Sequence, residues 1–117
     1  MPLRTLTLVA AATALAAFAA PASAAPVPAY VATVNSVYVP GDVVITQGSA
    51  LTLVNLENVA HDLVSSDVEN GLPLFQARIA AGPGDTAPVV GVEKLGLGYH
   101  PFYCSLHEAM RGTIQVV

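Results

Sequence analysis

What this chain has little of narrows its chemistry first. There is one cysteine, Cys104, in 117 residues. No disulfide can form within the chain, and a structural zinc site built on several thiolates is excluded. There are two methionines, and one of them is the initiator. There are three histidines and no His-x-His pair, which argues against an enzyme that relies on multi-metal His clusters. Basic residues number four against eight acidic ones. So acidic a chain is a poor partner for nucleic acid or for anionic membrane. No stretch has the 3.6-residue periodicity of an amphipathic helix, and no internal repeat is present.

The N-terminus reads as an export signal. Arg4 gives a positive start, Thr5 to Ala20 is apolar, and Ala22-Ser23-Ala24 offers a small-residue cleavage site. The apolar run is about 15 residues, short of the ~20 that span a bilayer. Residues 1–24 are therefore expected to be removed, leaving 25–117 as one domain with no membrane span, delivered to the periplasm or secreted. Arg4 is the only charged residue in the expected signal, so the mature chain has three basic against eight acidic residues, a net charge of −5. In an oxidising compartment a lone thiol invites oxidation, and ligation to a metal is a reason to keep one.

What remains is strand-like. Tyr30 to Val39, Val43 to Gln47, Leu51 to Asn55, His61 to Ser66, Thr86 to Val92, Tyr99 to Cys104 and Gly112 to Val117 are short and rich in Val, Ile, Leu, Thr and Tyr. Pro40-Gly41-Asp42, Gly48-Ser49, Pro83-Gly84 and Gly96-Leu97-Gly98 punctuate them. Leu51, Leu53 and Asn55 are expected on one face of their strand, with Thr52 and Val54 on the other. Pro88 places its strand at an edge or a bulge. Residues 67–78 are read as a loop with an edge strand or one helical turn. About eight short strands with regular turns predict an all-β sandwich.

The chemistry gathers near the C-terminus. Cys104-x2-His107-x2-Met110 puts a thiolate, an imidazole and a thioether between two strands, in a seven-residue loop. Soft sulfur with imidazole suits copper, and a second imidazole would complete a His2Cys plane with a weak axial Met. His61, opening a strand that can lie beside the Cys104 strand, is the candidate. His100 shares parity with Cys104, but four residues along a strand is about 13 Å, too far for the same ion. Met110 taken alone would be core filler, and Cys104 taken alone an inert buried thiol.

Asn55-x5-His61 followed by Gly98-x3-Phe102-Tyr103-Cys104-x2-His107-x2-Met110-x-Gly112-x-Ile114-x-Val116 resembles the cupredoxin family of small type 1 blue-copper proteins, in the manner of amicyanin and plastocyanin. The resemblance runs from about Val34 to Val117. It implies a Greek-key β-sandwich holding one copper, cycling between Cu(I) and Cu(II), with His61, Cys104, His107 and Met110 as ligands. It further implies a monomeric one-electron carrier, not an enzyme, with His107 as the electron port. Such a carrier meets redox partner proteins transiently, and the acidic balance predicts a basic docking surface on them. A copper scavenging or delivery protein would use the same ligands. The chain departs from the family pattern at Asp62, where Asn is common, at His100, where Tyr is common, and at Glu108 in the ligand loop. Asp62 can accept hydrogen bonds from the Cys104 loop but not donate them while ionised. The other acids, Glu57 among them, read as solvated surface.

Overall fold

The computed structural model describes residues 26–117. The expected export signal, residues 1–24, lies outside the described residues. Among the described residues there are eleven strands and one 3-10 turn: β1 (Ala29–Val34), β2 (Val37–Val39), β3 (Asp42–Ile45), β4 (Leu51–Asn55), β5 (His61–Ser65), β6 (Val68–Glu69), β7 (Leu72–Pro73), β8 (Gln76–Ala80), β9 (Thr86–Pro88), the 3-10 turn Val92–Lys94, β10 (Gly98–Cys104) and β11 (His107–Val116). Among the described residues no helix is long and apolar enough to cross a membrane.

Two sheets face each other. One has the order β2-β1-β4-β9, the other β3-β11-β10-β5-β8. Both are mixed: β1 runs parallel to β4, and β3 parallel to β11. Such crossovers between sheets make the architecture the expected Greek-key sandwich. Its core follows from period-two burial. Leu51, Leu53 and Asn55 of β4 turn inward while Thr52 and Val54 stay half-buried, as the alternation predicts. Val31 and Ala87 join them from the first sheet; Leu63, Phe102, Ile114 and Val116 come from the second.

The strand count departs from about eight for local reasons. The run from Tyr30 to Val39 is not one strand. Asn35 (φ 51°) and Ser36 (φ 58°) turn left-handed, and Val34 pairs with Val37 across a two-residue hairpin. Both central residues of this turn type need positive φ, a conformation Asn tolerates better than most. Asn70-Gly71 does the same between β6 and β7, where the sequence reading left a loop. The edge strand anticipated in that stretch is β8, at the rim of the five-stranded sheet. Pro88 ends β9, an edge strand, where its missing N–H costs no ladder bond.

The largest departure is at the ligand loop. A seven-residue loop was expected between Cys104 and Gly112, but β11 already starts at His107. Cys104 pairs with His107 across a two-residue turn, Ser105-Leu106. Pairing then jumps to Tyr103 opposite Arg111, so Glu108, Ala109 and Met110 have no rung on β10. The extra residues form a bulge, which re-aims side chains at a strand end.

Candidate metal centre

The site is built on three neighbouring strands, β5, β10 and β11, at one rim of the five-stranded sheet. His61 opens β5 and Cys104 ends β10; both are buried, at 0% and 1% exposure. His107, at the start of β11, is half-buried. Cys104 Sγ is 4.0 Å from His61 Nδ1 and 3.6 Å from His107 Nδ1. All three donor atoms lie within 4.8 Å of one another. The two imidazole centroids are 4.7 Å apart, with planes tilted by 50°. Donors spread in a plane about 2.0–2.3 Å from a shared ion stand roughly 3.5–3.8 Å from each other. The two sulfur–nitrogen distances lie close to that spacing, and one thiolate with two imidazoles is a set suited to copper. Met110 is buried on β11, in the same apolar cluster as Cys104 and Phe102.

What holds these side chains is as specific as the donors. Asn55 is fully buried and uses all its capacity. Its Nδ2 donates to the carbonyls of Val59 (2.8 Å) and Ala80 (2.9 Å). Its Oδ1 accepts from the Thr33 hydroxyl (2.8 Å) and from the Glu57 N–H (2.9 Å). The short loop 56–60 is thereby folded on a side chain, and it delivers His61 in one place. Behind Cys104, the Asp62 N–H donates to Sγ at 3.5 Å. The Asp62 carboxylate accepts from the Ser105 N–H at 2.7 Å and from the Ser105 hydroxyl. Asp62 thus ties β5 to the turn between Cys104 and His107 as an acceptor alone. Tyr38, 1% exposed, donates its hydroxyl to the Asp62 carbonyl at 2.5 Å. Burial, then the nearby Cys104 and Asp62, push its phenol well above the usual range.

Gly112 makes room for the ring beside Cys104. A Cβ there would lie 2.4 Å from Cζ of Phe102, its cross-strand partner. The Phe102 ring in turn meets Tyr38 edge-on, centroids 4.8 Å apart.

The sequence reading placed His61, Cys104 and His107 together, and the structure does so too. His100 hydrogen-bonds the Gly96 carbonyl (2.8 Å) and takes no part. One group was missed. The acid that touches an imidazole is Glu57, whose Oε2 lies 2.7 Å from His61 Nε2. That hydrogen bond, ahead of smaller contributions, holds the Glu57 carboxyl below the usual range. Its signal in the sequence was faint: an acid four residues before a candidate ligand, in a chain with few charges.

The sandwich is similar in fold to solved cupredoxins. A purple cupredoxin from Nitrosopumilus maritimus matches with a TM-score of 0.61 and 28% identity, over 76% of this chain and 99% of that one. An amicyanin variant in its reduced state matches with a TM-score of 0.64 and 17% identity, over 82% of this chain and 95% of that one. A copper-containing nitrite reductase from Thermus scotoductus matches with a TM-score of 0.63 and 24% identity; 85% of this chain is covered, but only 25% of the reductase. No family model and no curated protein matches the chain.

Proposed function

We propose that this chain is an exported, mononuclear type 1 copper protein that carries single electrons between redox partners. The observation that carries the reading is the convergence of His61 Nδ1, Cys104 Sγ and His107 Nδ1 within 4.8 Å at one rim of a sandwich. Met110, buried in the same apolar cluster as Cys104, would be the fourth donor. The metal would supply a one-electron Cu(I)/Cu(II) couple. The protein's part is to hold its donors still. Backbone pairing of β5, β10 and β11 sets their spacing, and the Asn55 and Asp62 networks fix the loops that bear them. A donor set that need not move on electron gain or loss makes transfer fast. His107 is the donor nearest solvent and the port.

With four side chains engaged, no open position is left for a substrate, so the reading is a carrier and not an enzyme. The similarity to one quarter of a nitrite reductase supports shared architecture only. The net charge of −5 after removal of residues 1–24, with exposed Glu108 beside the port, calls for a basic partner surface. Association should slow as salt rises. A weak, small docking area is what such exchange needs, and the carrier acts as a monomer.

The test is direct. Residues 25–117 mixed with one equivalent of Cu(II) should turn blue through thiolate-to-metal charge transfer and give reversible voltammetry. A colourless solution overturns the proposal. A protein that binds Cu(I) far better than Cu(II) and passes it to an acceptor would instead be a copper scavenging or delivery protein.

A further inference from the structure

Glu57 has no part in the carrier reading so far, yet both its oxygens are engaged. Oε2 lies 2.7 Å from His61 Nε2, and Oε1 accepts from the Ser36 N–H at 2.5 Å. Ser36 is at the left-handed tip of the β1–β2 hairpin, in the other sheet. The Glu57 N–H is held by Asn55, so backbone and side chain are both anchored. The carboxylate is only 15% exposed, and its partner imidazole is fully buried. No other acidic side chain pairs with a histidine among the described residues.

An ionised carboxylate only accepts hydrogen bonds. The proton of His61 therefore belongs on Nε2, leaving the Nδ1 lone pair directed toward Cys104. A carboxylate behind a ligating imidazole also fixes the orientation of the ring. An anion near the site stabilises a doubly charged ion more than a singly charged one. We propose that Glu57 is a positioning residue: it fixes His61 in the Nδ1-ligating tautomer and biases the site toward Cu(II), lowering the reduction potential. Since Ser36 grips the same carboxylate, the bias is anchored by a hairpin that supplies no ligand. The potential part rests on the copper reading; the tautomer part does not.

The experiment compares the wild type with Glu57→Gln, Glu57→Asp and Glu57→Ala at one fixed pH. Glu57→Gln keeps size and an acceptor oxygen but removes the charge. The expected result is a blue Glu57→Gln protein with a raised potential, its Cu(II)-to-Cu(I) affinity ratio down about tenfold or more. Glu57→Asp, which restores the charge, should return toward the wild-type potential. A structural clamp alone would shift melting temperature but not produce this ordering. In metal-free wild type, long-range 1H–15N NMR should show His61 protonated on Nε2 alone, with mixed tautomers in Glu57→Ala. A blue wild type whose potential is unmoved in Glu57→Gln overturns the inference, as does a metal-free wild type with mixed His61 tautomers. A colourless wild type would instead mark failure of the copper reading, and the metal-free tautomer would still decide the positioning role.

Discussion

His61 and His107 present the same atom, Nδ1, to the same sulfur, and the protein treats them differently. His61 is fully buried, its far nitrogen is held by Glu57, and its loop is folded over Asn55. His107 is half-buried on a two-residue turn, and no hydrogen bond to its Nε2 is found among the described residues. One imidazole is set in place by the polypeptide. The other has only its position on the hairpin and whatever the metal provides. Rigidity and access are thus assigned to different imidazoles, an asymmetry that suits the proposed carrier.

The sharpest way to break that contrast is to delete each ring. In His107→Gly, millimolar imidazole should enter from solvent and restore the blue band. In His61→Gly the sealed position should stay empty and the protein colourless, read by visible absorption during an imidazole titration. Equal rescue of both would erase the distinction. Next in size is Asn55→Ala. It strands the Thr33 hydroxyl, the Glu57 N–H and two carbonyls, at 1–3 kcal/mol for each that water cannot reach. We expect a loss of at least about 3 kcal/mol by urea unfolding and a fall of more than about 12 °C in Tm. On the His107 side, Gly112→Ala drives a methyl into the Phe102 ring and toward the Gly41 carbonyl, 3.0 Å away. The expected cost is about 1–3 kcal/mol, together with a shifted visible spectrum as the ring beside Cys104 moves.

The smallest effect lies at the outer support of the His61 side. Asp85 accepts from the Asn55 N–H through its carbonyl (2.9 Å), and its carboxylate pairs with Arg78 (3.3 Å). The Arg78 hydrogen bond, then the Ala81 N–H, hold that carboxyl below the usual range. A carboxyl depressed on folding adds stability above its unfolded pKa, about 3.9. That stability is lost as the pH falls through the folded value. Asp85→Asn should therefore melt slightly below the wild type at neutral pH, and the two curves should converge under acid conditions. A gap that widens toward low pH would reverse the assignment.

Much of this was legible because the informative residues are rare. A sole cysteine, a sole internal methionine and one of three histidines at three-residue spacing stand out in any reading. Leu51, Leu53 and Asn55 announced their inward face by alternation. The turn at Asn35-Ser36 was missed because the Val and Tyr residues around it carry a continuous strand signal, and backbone sign is not written in hydropathy. The ligand loop was drawn too long because strand pairing resumes around a bulge, which leaves no compositional mark. Glu57 was assigned to the surface since isolated acids usually belong there. Only the fold of residues 56–60 around Asn55 brings it to a ring nitrogen.

His61, Cys104, His107 and Met110 all sit on adjacent strands of one sheet. A metal held there would rivet strands that are already laced together and join nothing across the interior. Assembly of the shell should not wait for the ion, unlike small domains that collapse only around their metal. A cell could stock the empty vessel and charge it afterwards, so that the identity of the cargo is decided by supply at the rim and not by the folding of the chain.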